Sequence, residues 1–105
     1  MAFTGASLAD GQIAAAWATI YTSTAKTIVK SFHIFNTSAT PQTVEVRVTR
    51  SGSTARAFPR VVLSQNESAQ YVSDGDTLVL SASDIIEAQS TTLNVVDYTI
   101  TGATE

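Results

Sequence analysis

His33 is the single histidine of the chain, and Ser31 stands two residues before it. A strand through this segment puts a hydroxyl and an imidazole on one face, a first step toward general-base catalysis. The pattern goes no further. There is no G-x-S-x-G elbow, no second histidine and no cysteine, and an isolated strand histidine reads as a packed or surface residue. One histidine also cannot anchor a zinc site. Asp74-Gly75-Asp76, with Asp84 and Glu87 downstream, offers oxygen ligands of the kind calcium takes. The spacing departs from the calcium loop D-x-[DN]-x-[DN]-G with its later glutamate, and an ordinary Asp-Gly turn accounts for it. No metal and no cofactor are expected.

Arg47, Arg50, Arg56 and Arg60 gather around one hairpin and could grip phosphate. Nucleic-acid binding wants interleaved aromatics or more excess charge, and Phe58 alone supplies little of either. The arginines read instead as a solvated sheet face or as an interface with acidic residues. The glycines are dispersed at Gly5, Gly11, Gly52, Gly75 and Gly102, so no phosphate-cradling loop exists. Asn36-Thr37-Ser38 and Asn66-Glu67-Ser68 match glycosylation sequons, but without a secretory leader they read as turns. Trp17, Tyr21, Phe32, Phe35, Tyr71 and Tyr98 compose either a sugar-binding platform or, more simply, the core of a sandwich.

All six basic residues lie between Lys26 and Arg60, a span with one acid (Glu45) and net charge +5, whereas Val61 to Glu105 carries seven acids and no base. Two arrangements follow. Strands from both halves interleave in one sandwich and neutralise each other, or like faces segregate and neighbouring subunits meet positive to negative in a head-to-tail ring. The overall charge of −3 argues against nucleic acid as a partner.

These residues need a scaffold, and the composition names it. The chain of 105 residues fits one domain, and 44% hydrophobic residues place it outside the disordered class. Its 16 Thr and 12 Ser suit pleated strands and their turns. The longest apolar run, Ile13 to Ala18, is far short of the about 20 residues that span a membrane. No basic segment precedes it, so the chain is expected to start near Met1 and to be made in a cytoplasm.

Residues 1–12 lack a sustained period and read as an N-terminal arm whose Phe3 and Leu8, with Ile13 just beyond, could lie along a neighbouring subunit. Residues 13–105 read as a single domain. Trp17 to Thr22 favours a strand. Lys26 to Asn36 is a second, in which Lys30 requires either two partly covered faces or a bulge. Thr43 to Arg50 alternates cleanly, Val44, Val46 and Val48 inward, Glu45, Arg47 and Thr49 outward. Ser51 to Thr54 turns the chain. Ala55 to Leu63 returns with Pro59 at an edge or bulged position. Ala69 to Val72, Leu78 to Leu80, Asp84 to Ala88 and Asn94 to Ile100 follow, the last with Val96, Tyr98 and Ile100 on one face. About eight short strands at this spacing predict an all-β antiparallel sandwich of jelly-roll or Greek-key type.

The ordered segments Lys26-Thr27-Ile28-Val29-Lys30 to Asn36-Thr37-Ser38, Val44-Glu45-Val46-Arg47-Val48, Leu63-Ser64-Gln65-Asn66-Glu67-Ser68, Leu78-Val79-Leu80 to Asp84-Ile85 and Val95-Val96-Asp97-Tyr98 with Gly102 and Glu105 resemble the small β-sandwich virion proteins of tailed bacteriophages. The likeness covers roughly residues 20 to 105. Where such proteins tend to carry Gly-Asp before the penultimate strand, this chain has Ser83-Asp84. The resemblance implies a non-enzymatic structural protein, first a capsid decoration or cement protein, alternatively a tail, baseplate or fibre component. It implies a virion location after synthesis in the host cytoplasm, a homo-oligomer (trimer or higher), and contact with other virion proteins such as the major capsid protein. The expected interface residues are Phe3, Leu8, Ile13, Arg47, Arg50, Arg56 and Arg60. A carbohydrate-binding module for host recognition is the expectation of a different class.

Overall fold

The computed structural model describes residues 4–72 and 78–105, which form ten strands. They are β1 (Thr4–Gln12), β2 (Ala18–Thr22), β3 (Thr27–Asn36), β4 (Gln42–Thr49), β5 (Arg56–Ala57), β6 (Val61–Leu63), β7 (Ser68–Val72), β8 (Leu78–Leu80), β9 (Ile85–Ser90) and β10 (Val96–Thr104). One sheet runs β1-β10-β3-β7 with β8 also on β3, and the other runs β2-β9-β4-β5 with β6 also on β4. The Asp74-Gly75-Asp76 turn lies outside the described residues.

Pro59, which has no N–H to donate, stands in the gap between β5 and β6 on a sheet edge. Counting β5 with β6 and β7 with β8 leaves eight strand positions, and these pair first with last, second with seventh, third with sixth and fourth with fifth. All pairings are antiparallel. This is a long two-chain ribbon rolled up, the jelly roll, closed by the pairings of β10 with β3 and β9 with β4.

The ribbon turns three corners as it passes between sheets, and each has the same backbone device. At the first, the Ile13 N–H donates to Val96 O (2.9 Å) and the Asn94 N–H to Ile13 O (3.1 Å). At the second, Ser23 N–H donates to Asp84 O (2.9 Å) and Ser83 N–H to Ser23 O (2.7 Å). At the third, Asn36 N–H donates to Glu67 O (2.9 Å) and Asn66 N–H to Asn36 O (3.0 Å). The donors on the returning chain, Asn94, Ser83 and Asn66, are the three non-glycine residues with positive φ among the described residues, at 61°, 74° and 61°. Asparagine tolerates that conformation; serine is poorly suited to it.

Ser83 therefore occupies the place of the glycine that the resemblance leads one to expect. Asp84 N–H closes the turn onto Ser81 O at 3.1 Å, and a positive φ at the third turn residue alone is the type II pattern that favours glycine. Replacing the exposed Ser83 by Gly is expected to raise stability by about 0.5–1 kcal/mol, the relief of the left-handed conformation outweighing the entropy of a freer unfolded chain. Urea midpoints of the two proteins check it; a lower midpoint for the glycine variant would contradict it.

The core lies between the sheets. Val44, Val46 and Val48 of β4 are buried and its Thr43, Glu45, Arg47 and Thr49 face outward, as the alternation predicts. On β3 the bulge alternative holds. Ser31 pairs with Thr101 and Val29 with Gly102, so Lys30 is the extra residue, and the buried set passes from Thr27 and Val29 to Phe32, Ile34 and Asn36. Gly102 faces this bulge. A Cβ there would stand 2.0 Å from Ile28 O.

The expected division into an arm of residues 1–12 and a sandwich of 13–105 is corrected over the described residues. Thr4–Gln12 is an edge strand of the sandwich, in register with β10 from Thr4 opposite Thr104 to Gln12 opposite Asp97, with a bulge at Leu8. Nine residues, small or polar apart from Leu8, carry little strand preference of their own; pairing along β10 imposes it.

Candidate functional site

The arginine set is divided by the fold. Arg47 and Glu87 are partners on adjacent strands β4 and β9, and Arg47 Nε donates to Glu87 Oε1 at 2.9 Å, which also accepts from Thr49 Oγ1 at 3.2 Å. The Arg47 guanidinium carbon lies 4.1 Å from the centroid of the Trp17 ring, covering one indole face. Beside them Gln89 donates to Glu45 at 2.9 Å. The outer face of this sheet thus engages its polar groups with one another. Arg56 on β5 and Arg60 beyond it are exposed, without an ion-pair partner among the described residues.

Arg50 reaches a buried carboxylate from the surface. Asp84 is 3% exposed; its Oδ1 accepts from Ser51 N–H at 2.9 Å, and its Oδ2 accepts from Ser81 N–H at 2.9 Å and Arg50 Nη1 at 3.1 Å. Arg50 Nη1 also donates to Val79 O. Burial works to raise the Asp84 carboxyl's pKa. The two backbone donors and the guanidinium outweigh it and hold the group below its ordinary value near 3.8. Both ion pairs among the described residues join the basic and acidic halves inside one chain, as the interleaved arrangement expects.

The six aromatics separate likewise. Phe32 is core, and Tyr71 packs between Phe32 and Phe58 with ring centroids 5.1 and 5.3 Å apart. The Tyr71 hydroxyl is buried with no hydrogen-bond partner among the described residues, and burial, helped by the Glu45 charge, pushes its pKa up to about 12. Tyr98 lies over Gly11, and burial raises its pKa with Asp10 contributing. Among the described residues, Arg47 covers one face of Trp17, and Tyr21, Tyr71 and Tyr98 are partly buried against the core. A cleft of about 190 Å³ opens where β5 faces β8, walled by Val48, Ala57, Phe58 and Leu78 with Arg50 and Arg56 at its sides.

His33 points outward from β3, away from the core. Its neighbours across the sheet are Thr99 on β10 and Gln70 on β7, and the next row sets Asp97 and Ser68 on either side of Phe35. His33, Phe35, Ser68, Asp97 and Thr99 line a groove of about 350 Å³. No hydrogen bond among the described residues joins His33 to Asp97 or Ser68.

Of the interface residues expected from sequence, Ile13 is withdrawn: it is 0% exposed and part of the core, unable to touch a neighbour. Leu8 is half-buried against the same core. Phe3 lies outside the described residues. Arg47 and Arg50 are engaged within the chain, which leaves Arg56 and Arg60 as the freely presented members of the set. Asn36 of the first sequon is 0% exposed, its amide donating to Thr40 O, Leu63 O and Ser64 O at 3.0, 3.0 and 3.2 Å, and its oxygen accepting from Ser38 N–H. The groove around Phe35 had a faint sequence signal: His33 and Phe35, like Asp97 and Thr99, sit two apart on outward positions. Only the register of β3 against β10 brings the two pairs together. No family model, no curated protein and no solved structure matches this chain.

Proposed function

We propose that the chain is a non-enzymatic structural protein of a tailed-phage virion, a capsid decoration or cement protein that self-associates and binds neighbouring virion subunits such as the major capsid protein. The observation that carries this reading is the strand order of the jelly roll, an architecture widely used in viral capsid domains.

The edges support self-association in particular. β2 has five residues and a register shift at Ile20, β5 and β6 are split around Pro59, and β7 and β8 are separate short strands. β1 ends its sheet as a nine-residue strand, bulged once at Leu8, with Asp10 as its single charge. Short or interrupted edges are poor templates for further pairing, and a long one is a ready one. Arg56 and Arg60, both exposed, add a basic contact for an acidic neighbour.

The test is light scattering on the purified protein together with co-sedimentation with purified phage heads. A trimer or larger assembly that sediments with heads is expected. A monomer that stays in the supernatant would sink the reading.

A further inference from the structure

From the groove on the outer face of the β1-β10-β3-β7 sheet, we infer that the protein binds a neutral glycan there, with a pyranose ring laid on Phe35 and its hydroxyls held by Asp97 and the side chains around it. This does not rest on the virion assignment.

The two outer faces differ in a way that bears on ligands. On the β2-β9-β4 face, Arg47, Glu87, Thr49, Gln89 and Glu45 are bonded to one another and the Trp17 ring is covered. On the opposite face, Asp97 accepts from Gln12 Nε2 at 3.1 Å through Oδ1 alone, and its second oxygen has no protein partner among the described residues. The side chains of His33, Ser68 and Thr99 are likewise free of hydrogen bonds among the described residues. These groups stand on three adjacent strands around Phe35, which is 39% exposed. The groove of about 350 Å³ falls in the range of small-ligand sites, about 300–1,000 Å³.

The chemistry selects the ligand class. An aromatic ring presented beside a carboxylate and several hydroxyl or imidazole groups matches a ring with an apolar C–H face and equatorial hydroxyls. Asp97 and, one row away on β1, Asp10 repel phosphate and carboxylate groups, which turns away nucleotides and acidic sugars. A peptide would want either a longer sheet edge than the five residues of β7 or a deeper apolar pocket than a single half-exposed phenyl ring provides.

The probes are methyl α-D-glucopyranoside, N-acetylglucosamine, lactose and mannobiose, with glucose 6-phosphate as the charged comparison, titrated into the ¹⁵N-labelled protein and followed by amide shifts. At least one neutral sugar is expected to bind with a Kd of about 1 mM, moving amides on β3, β7 and β10, while glucose 6-phosphate binds more weakly. Phe35→Leu keeps the buried part of the side chain and removes the stacking ring; Asp97→Asn keeps the bond to Gln12 and removes the charge. Each is expected to weaken binding about tenfold with an unchanged Tm, whereas Trp17→Phe leaves it unaltered. The inference is overturned if none of the neutral sugars shifts any amide up to about 20 mM. It is equally overturned if both groove variants bind as the parent does, or if the shifts map to the Trp17 face.

Discussion

Gly102→Ala is expected to destabilise the protein by about 3 kcal/mol or more, a fall in Tm of roughly 15 °C. The reason is the bulge at Lys30. Because β3 carries one residue more than β10 between Val29 and Ser31, its backbone leans over Gly102, and an alanine Cβ would lie 2.0 Å from Ile28 O and 3.0 Å from both Ile28 C and Val29 Cα. All three are backbone atoms in the central strand of the sheet. No rotamer change relieves them, so β10 must move away from β3 and carry β1 with it. Gly52→Ala is the comparison: that site meets nothing within 4 Å, and its cost is confined to a φ of 75° in an exposed turn. Thermal and urea unfolding of both variants distinguish the two mechanisms. Equal losses at the two sites would contradict the close approach at Gly102.

Asp84→Ala is expected to cost about 3 kcal/mol, because it leaves the Ser51 and Ser81 N–H groups without their acceptor and Arg50 without its counter-charge. The carboxylate ties the β4–β5 turn to the corner between β8 and β9, so the damage falls on both sheets. Its pH dependence has a definite sign. The folded-state pKa lies below the ordinary value near 3.8, so above that value the full contribution is present, and it is lost as pH falls from about 4 through the lower folded pKa. The Tm gap between parent and Asp84→Ala should therefore be wide and flat at neutral pH and narrow below about pH 4. A gap that stays constant down to pH 2.5 or so would show that Asp84 acts by shape rather than by charge.

The strands that were legible in the sequence are those with a strong alternation of their own. Val44, Val46 and Val48 announce β4, and the misplaced Lys30 announces either a bulge or two partly covered faces in β3, between which the register against β10 decides. β1 was not legible. Gly5, Ala6, Ala9, Asp10 and Gly11 are poor strand formers, and their conformation is decided by residues about 90 positions away on β10. Gly102 looked like one scattered glycine of five, since its necessity arises only from its position across from Lys30. The opposite charges of the two halves were plain, yet which acids meet which bases followed from the β4–β9 register. The Phe35 groove left only the two outward pairs His33/Phe35 and Asp97/Thr99 as a trace, and the β3–β10 register brings them together.

The rolled ribbon has a consequence for how the protein is made. Its outermost pairing joins Thr4 to Thr104 and each later pairing lies inside it, so the contact order is high and the entropy of closing a long loop precedes most of the reward. On the ribosome, β1 leaves the exit tunnel before β10 and must wait for it. The hairpin of β4 with β5 and β6 is the one unit whose partners are close in sequence, and refolding on a millisecond-to-second scale, growing outward from that hairpin, is the expected order of events. During that wait β10 has no β1 to pair with, so in newly made chains crowded on one message the β10 edge is the one open to a wrong partner until its own β1 closes on it.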